Sequence, residues 1–200
     1  MDEFAIDSLS KANAAINNGD IESEVEPVVI TNRKGSVTIT VDEQPGQARL
    51  DKIPQLCLAF TKDGTITAAN ASSISDGASA LVLAGGDVVE DAGWQSTARI
   101  LGVHSFACAP GEFTIAPIGA VQGLLEKMNW TVADVDLFEI NEAFAMVTML
   151  AIQELNLDAS KVNVYGGACA QGHPIGSTGS RIILTLITAL KNKGLKRGIA

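Results

Sequence analysis

The stretch that decides the fold is GGACAQGHPIGSTGSR at residues 166–181, a glycine-rich bend that carries one of the two histidines of the chain. Gly172 permits backbone angles that are closed to other residues, and Pro174 fixes φ and removes a donor, so His173 sits on a rigid support. The bend follows an apolar run at residues 162–165 and precedes a helical pattern. This order places His173 beyond the carboxyl end of a strand, where α/β proteins bind ligands.

His173 has two interpretations at this point. Imidazole is the side chain whose unperturbed pKa lies closest to neutrality, which is the value a general base needs. A lone histidine in a glycine-rich turn can equally serve only to donate and accept backbone hydrogen bonds. The bend by itself does not decide between a catalytic and a structural histidine.

A second polar position lies in DLFEINEAF at residues 136–144, where Asn141 and Glu142 stand between apolar neighbours. The pattern predicts the end of a strand followed by a helix. At such a junction the Asn141 amide can orient a water or a carbonyl group without bringing a charge. Glu142 has an alternative role as the cap of the following helix.

Together these two stretches resemble the thiolases, the family of acetyl-CoA acetyltransferases and 3-ketoacyl-CoA thiolases. The resemblance begins with NEAF at residues 141–144 followed by the bend at residues 166–181. It extends to DEFA at residues 2–5, to KDGTITAANA at residues 62–71 with Ser72, and to SDGA at residues 75–78, in family order. It therefore covers essentially all 200 residues.

The resemblance implies a thiolase-like α/β fold, in which a mixed sheet is covered by helices on both faces. The family fold has two similar halves, and this chain is expected to hold the second. Residues 1–62 are then the end of the loop and N-terminal region, and residues 63–200 the C-terminal domain. The implied activity of the full-length protein is acyl transfer between CoA thioesters, either condensing two acetyl-CoA to acetoacetyl-CoA or thiolysing 3-ketoacyl-CoA. The implied assembly is a homodimer or homotetramer.

The resemblance also assigns roles at the reacting centre. His173 would activate the nucleophile and help bind the thioester oxygen. Asn141 would hold a water that completes this oxyanion site, and Phe144 would pack against the ligand. A base near neutrality and uncharged donors at a developing charge agree with the chemistry of acyl transfer.

Residues 65–73 contain mostly small side chains after the turn at Asp63 and Gly64, so a ligand can approach their backbone closely. A closely packed corner is the alternative interpretation. By resemblance this is the stretch that lines the pantetheine tunnel of CoA. The roles implied there are a hydrogen bond between Ser72 and the pantetheine arm, a contact from Ala68 and an apolar wall at Phe60.

Thiolase chemistry requires two cysteines, and the motifs that carry them are not among these residues. Cys169 stands four residues before His173, but the family usually has an aliphatic residue there, so Cys169 is not expected to be the nucleophile. The expectation is a fragment that lacks both catalytic cysteines and is inactive alone. Two alternatives remain: a non-catalytic module that binds CoA thioesters or lipids, and a scaffold half that serves dimerisation.

Composition narrows the class of protein. A net charge of −9 argues against a nucleic-acid partner, and no apolar run is long enough for a membrane span. The three cysteines lack the spacing of a metal site or a disulfide framework. We therefore expect no metal, no cofactor other than CoA thioesters as substrates, and a cytoplasmic location.

Periodicity predicts helices at residues 2–18, 117–128, 143–155 and 176–193. It also predicts two short strands, at residues 25–31 and 36–41, which form a hairpin or pair equally well with other strands. Further strands are predicted at residues 78–83, 98–106, 135–140 and 163–165, about five in one sheet. His104, with apolar neighbours, is expected to be a core or edge histidine. The apolar helix at residues 182–190 is expected to need cover from outside the chain.

Overall fold

The computed structural model describes all 200 residues and begins with a helix, α1, at Asp2–Asn18. α1 ends where Gly19 takes a left-handed conformation with φ of 76°. The buried face of α1 carries small residues, Ala5, Ser8, Ala12 and Ala15, together with Leu9. The predicted helix is confirmed, and its small residues allow the backbone that follows the central strands to approach it closely.

An antiparallel hairpin follows α1. Its strands are β1 at Val28–Asn32 and β2 at Gly35–Ile39, and Val28 pairs with Ile39. The predicted hairpin is confirmed, but every residue of both strands is exposed. A short helix, α2 at Glu43–Gln47, comes after the hairpin, and the Asp42 side chain caps it by accepting a hydrogen bond from Gln44 N.

The central strand is β3 at Leu137–Phe138, which pairs in parallel with β4 at Gly198–Ile199. On its other side Phe138 forms a parallel bridge with Val162. Successive side chains of a strand point to opposite faces, and here each face has its own core. Phe138 packs in one cluster with Val121, Leu155 and their neighbours, whereas Leu137 packs in another with Ala15 and Leu186.

Helices supply the cover on these two faces. The remaining helices are α3 at Gly86–Asp91, α4 at Ala116–Met128, α5 at Ala145–Glu154, α6 at Ala168–Gln171 and α7 at Thr178–Lys193. α4 and α5 contribute Val121, Leu125 and Ala151 to the core around Phe138. α1 and α7 contribute Ala15, Leu186 and Ala189 to the core around Leu137. The expectation of a sheet covered by helices on both faces is confirmed.

Several predicted strands are wrong. Residues 78–83 and 98–106 form neither helix nor strand, and Val82 is 96% and Ile100 60% exposed. Their β-branched composition favours strands, but a strand exists only where another segment pairs with it, and none does here. The strand predicted at residues 163–165 is also absent, because Asn163 has a left-handed φ of 47° and turns the chain. The structure has four strands in two two-stranded sheets instead of about five in one.

The apolar helix is better covered than expected. Leu186 is buried, and Ile183, Ile187 and Leu190 are partly buried. α7 therefore finds most of its cover within these residues, from α1, β3 and β4. No helix of the structure is both long enough and apolar enough to cross a membrane.

Candidate active site

His173 lies directly after α6, on a bend that the backbone on both sides fixes. Gly172 has φ of 83°, and a Cβ at this position would lie within 2.8 Å of Ser75 Cβ, so both its angle and its surroundings require glycine. His173 N donates to Ser73 O over 3.0 Å. The rigid support predicted for the imidazole is therefore present.

The imidazole of His173 has one partner, the hydroxyl of Thr178 at the start of α7. His173 Nδ1 lies 2.7 Å from Thr178 Oγ1, and Thr178 Oγ1 donates its proton to Pro174 O over 3.0 Å. In the arrangement in which the hydroxyl proton goes to Pro174 O, Nδ1 carries the hydrogen of the ring and donates it to Thr178. Nε2 then keeps its lone pair and is the atom that can accept a proton.

Two features of the environment of this ring lower its pKa. Burial lowers the pKa of His173, and the Arg181 guanidinium lowers it further. Both effects favour the neutral imidazole near neutral pH. His173 therefore has the tautomer and the charge state that a general base requires.

Asn141 and Glu142 have very different surroundings, although they are adjacent. The Asn141 side chain makes no hydrogen bond within the chain, and its Oδ1 is buried. Glu142 is fully buried, and its carboxylate accepts from Ser8 Oγ at 2.8 Å, Asn163 Nδ2 at 2.8 Å and Cys169 N at 3.1 Å. A buried amide oxygen without a partner is rare and marks a place where a water or ligand group fits.

The interpretation of Glu142 as the cap of the helix after it is wrong. α5 begins at Ala145 without a side-chain cap, whereas the Glu142 carboxylate accepts from Cys169 N at the start of α6. A side chain at Gly167 would overlap that carboxylate, so glycine is required there. Burial raises the pKa of Glu142, and its three donors oppose this effect.

Residues 71–74 contact both the NEAF stretch and the histidine bend. Ala71 forms an antiparallel bridge with Phe144, and Ser72 donates to Ala143 O from both its backbone N, at 3.1 Å, and its Oγ, at 3.0 Å. At the other end Ile74 forms a parallel bridge with His173. The NEAF stretch and the histidine bend therefore lie on opposite sides of one short segment, which carries Ser72.

Three aromatic rings lie beside this segment. The centroid of Phe144 lies 6.4 Å from that of Phe60 and 6.2 Å from that of Phe113. Phe113 also lines a cavity of about 350 Å³ that reaches Asn141 and whose other lining residues are Phe106, Ala116, Pro117, Ala120, Ala143 and Val147. Phe60 is 72% exposed and Ala68 is exposed, so both are accessible to a ligand.

Sequence reasoning missed three residues of this site: Thr178, Asn163 and Phe113. Thr178 follows His173 by five residues, which gives no periodic signal, and its contact depends on the turn between them. Asn163 stands in an apolar run that predicts a strand. Phe113 lies in a 3-10 helix, Pro110–Ile115, outside every motif that was recognised.

The cysteines are not placed for nucleophilic attack. Cys169 Sγ faces Glu142 O at 3.8 Å, and burial, together with the Glu142 charge, raises the pKa of its thiol far above the usual range. Cys57 is exposed, and Cys108 Sγ faces Glu112 O at 3.2 Å. None of the three makes a hydrogen bond with His173. His104 is exposed and lies against Gly123 of α4, away from the bend.

Comparison with known protein families identifies the family of this chain. The model of the thiolase N-terminal domain matches residues 1–87, and the model of the thiolase C-terminal domain matches residues 94–200. The chain belongs to the thiolase family, and the expected recognition is confirmed. The division expected after residue 62 stays a prediction.

Individual relatives agree with the family. The chain is 47% identical to an acetyl-CoA acetyltransferase of Yarrowia lipolytica over 95% of its own residues and 48% of that protein. It is similar to the crystal structure of the Bacillus anthracis acetyl-CoA acetyltransferase, with TM-score 0.95 and 41% identity over 98% of this chain and 50% of that one. Human mitochondrial 3-ketoacyl-CoA thiolase in complex with CoA gives TM-score 0.87 and 38% identity over 98% and 49%. The chain thus spans about half the length of the relatives it matches.

Proposed function

We propose that the protein transfers acyl groups between CoA thioesters, condensing two acetyl-CoA to acetoacetyl-CoA or thiolysing a 3-ketoacyl-CoA. The observation that carries this proposal is the neutral His173, whose Nδ1 is held by Thr178 and whose Nε2 keeps its lone pair beside the segment that joins it to the NEAF stretch. The relatives named acetyl-CoA acetyltransferase and 3-ketoacyl-CoA thiolase support it.

In the proposed reaction His173 Nε2 takes the proton of a cysteine thiol. The thiolate attacks the thioester carbonyl carbon, and the bond from this carbon to the CoA sulfur breaks. The CoA thiolate takes the proton of a second cysteine, which leaves an acyl-enzyme, free CoA and a second thiolate. This second thiolate takes an α-proton from another acetyl-CoA, and the resulting carbanion attacks the acyl carbon. The bond from this carbon to the first cysteine breaks, and the restored thiolate takes its proton back from His173. Asn141 holds a water that, with His173, stabilises the charge on the thioester oxygen.

We place both reacting cysteines outside the 200 residues. The high pKa of the buried Cys169 thiol supports this, because a protonated thiol is a poor nucleophile. On this proposal the 200 residues alone do not thiolyse acetoacetyl-CoA. Turnover by these residues that disappears in Cys169→Ser would contradict it.

The CoA site is proposed at residues 60–72. Ser72 donates its hydroxyl proton to Ala143 O, so its lone pairs remain free to accept a hydrogen bond from the pantetheine arm. Ala68 and Phe60 would contact the same arm, and Phe144 the acyl group. No metal or further cofactor has a role in this scheme.

The proposal also covers the compartment and the assembly of the protein. The three free cysteines suit a reducing compartment, for which we propose the cytoplasm, although one relative is mitochondrial by name. A homodimer or homotetramer is proposed for the whole protein. Cell fractionation and sedimentation of the natural protein test the two statements.

The deciding experiment is His173→Ala in the whole protein, measured by thiolysis of acetoacetyl-CoA. Turnover is expected to fall by a factor on the order of hundreds, because a base and an oxyanion donor are lost together. His104→Ala, an exposed histidine packed against α4, is the matched control. Equal turnover of both variants would remove His173 from the chemistry. A wild type that binds acetyl-CoA without turnover would favour the non-catalytic binding module instead.

A further inference from the structure

The buried side chain of Asn163 accepts one hydrogen bond and donates two. It is 3% exposed and left-handed, with φ of 47°. Its Oδ1 accepts from Ile140 N at 2.8 Å, and its Nδ2 donates to Ile140 O at 2.8 Å and to Glu142 Oε1 at 2.8 Å. Both amide hydrogens are used, and a flipped amide would set donor against donor, so its orientation is fixed.

The amide of Asn163 replaces a peptide group. Val162 still pairs with Phe138 as a strand, and Asn163 N donates to Phe138 O at 2.9 Å. The backbone then turns away, and the side chain supplies the next donor and acceptor that a continuing strand would have offered to Ile140. Asparagine suits this position because it tolerates the left-handed conformation and carries a peptide-like amide.

These contacts bear on Asn141, whose side chain has no hydrogen bond of its own. The direction of the Asn141 amide therefore follows from the backbone on its two sides. Asn163 holds Ile140 on one side and Glu142 on the other. We propose that Asn163 is a positioning residue, which sets the direction in which Asn141 presents its amide to the water and the thioester oxygen.

The same network reaches the histidine bend. Glu142 Oε2 accepts from Cys169 N in α6, and α6 is followed directly by Gly172 and His173. A loss of the Asn163 amide leaves Glu142 with two other donors, Ser8 Oγ and Cys169 N, so we expect the helix that carries the bend to keep its place. This role rests on the proposed function, because it presumes that Asn141 and His173 act on one substrate.

The test uses two substitutions in the whole protein. Asn163→Asp keeps the size of the side chain but replaces the donor that faces Ile140 O and Glu142 Oε1 by an acceptor. Asn163→Gly keeps the left-handed backbone without strain and removes the amide. Asn156 supplies the matched control, because it is left-handed with φ of 51°, exposed and without a side-chain hydrogen bond.

Steady-state thiolysis of acetoacetyl-CoA is expected to separate these variants. Asn163→Gly should lower kcat about tenfold or more, with KM for CoA changed less than about threefold, because binding is left intact while an oxyanion group is displaced. Asn156→Gly and Asn156→Asp should retain the wild-type kcat. Thermal unfolding of each variant shows that the protein measured is folded.

A double-mutant cycle with Asn141→Ala distinguishes positioning from general stability. If Asn163 acts through Asn141, then Asn163→Gly should lower kcat less than about twofold further when Asn141 is already alanine. Additive losses would overturn the inference, and so would wild-type kcat in the folded Asn163 variants. If neither Asn163 variant folds, its role is stability, and the inference falls.

The cycle also separates this inference from the proposed function. If Asn141→Ala loses turnover and Asn163→Gly keeps it, the positioning role is rejected and the proposed acyl transfer remains. A wild-type protein without thiolysis, or with turnover unaffected by Asn141→Ala, rejects the proposed roles and the inference together.

Discussion

Besides burial, two residues of α7 that carry no role in the reaction itself act on the tautomer and on the charge state of His173. Thr178 fixes the tautomer through Nδ1, and Arg181 places a positive charge near the ring. Each can be changed without touching the atom that accepts the proton. The contributions of tautomer and of charge can therefore be measured separately.

Thr178→Val is expected to lower kcat for acetoacetyl-CoA thiolysis about tenfold, because Nδ1 loses its acceptor and the ring is no longer held in one tautomer. Valine has nearly the same shape, so thermal stability should change little. Thr188→Val on the same helix is the control, since Thr188 is equally buried and has no contact with His173. A wild-type kcat in Thr178→Val would remove Thr178 from the site.

Arg181→Gln is expected to raise the pKa seen on the acidic limb of the kcat/KM profile, because a positive charge beside the imidazole opposes its protonation. Arg181→Lys keeps the charge and should leave the limb near its wild-type position. The measurement is the pH dependence of kcat/KM in the whole protein. If the acidic limb gives the same pKa in both variants, burial alone lowers the pKa of His173.

At the scale of the elements, β3 is followed by Glu139, a carboxyl in the middle of the core. Glu139 is 2% exposed, its Oε2 has no partner, and burial raises its pKa to about 8 despite the nearby Arg181. In the unfolded chain the same group has a pKa near 4.5. Between these two values the folded state binds the extra proton, so the free energy of unfolding falls as pH rises.

Glu139→Gln is expected to remove this pH dependence. From pH 5 to pH 8 the wild type should lose about 3 kcal/mol of stability through this group, and the variant should not. Urea unfolding at the two pH values measures it, with Glu126→Gln, an exposed position on α4, as control. A wild type that is equally stable at both pH values would show that Glu139 is ionised in the fold.

The sequence predicts the helices better than the strands, because the signals for a helix are local. α1, α4, α5 and α7 are confirmed because their periodicity and end signals, such as Gly19, act within a few residues. The strands at residues 78–83 and 98–106 failed because pairing depends on distant segments that composition does not reveal. His173, Asn141 and Ser72 were predicted from motifs and stay predictions as site residues, whereas the contacts of Thr178 and Asn163 became visible only in three dimensions.

At the scale of the whole molecule, a large apolar surface stays open to water. The paired residues Val28 and Ile39, and Ile30 and Val37, share one face of the hairpin, and each is more than 40% exposed. Val82, Leu83, Ile100 and Val103 are exposed as well. An apolar hairpin face that is exposed to water is unusual in a monomer and marks a contact site.

We expect the 200 residues by themselves to associate in solution. Sedimentation velocity over a range of concentrations should show species larger than the 20.8 kDa monomer. Ile30→Thr combined with Ile39→Thr keeps β-branched residues on the hairpin and should reduce association, whereas Val29→Thr on the opposite face should not. A single monomeric species at every concentration would contradict the expectation.

The hydrogen bonds of Ser8 have a consequence for how the molecule acquires its shape. They join α1 to Glu142 and to Gly167, which lie 134 and 159 residues further along the chain. Contacts between such distant positions close large loops and form slowly, whereas helices such as α4 and α5 need only local contacts. On a ribosome, Ser8 is therefore made long before Glu142 and Gly167, and its hydroxyl stays in water until both have emerged and can reach α1. The geometry that joins Asn141 to His173 thus forms after the local helices.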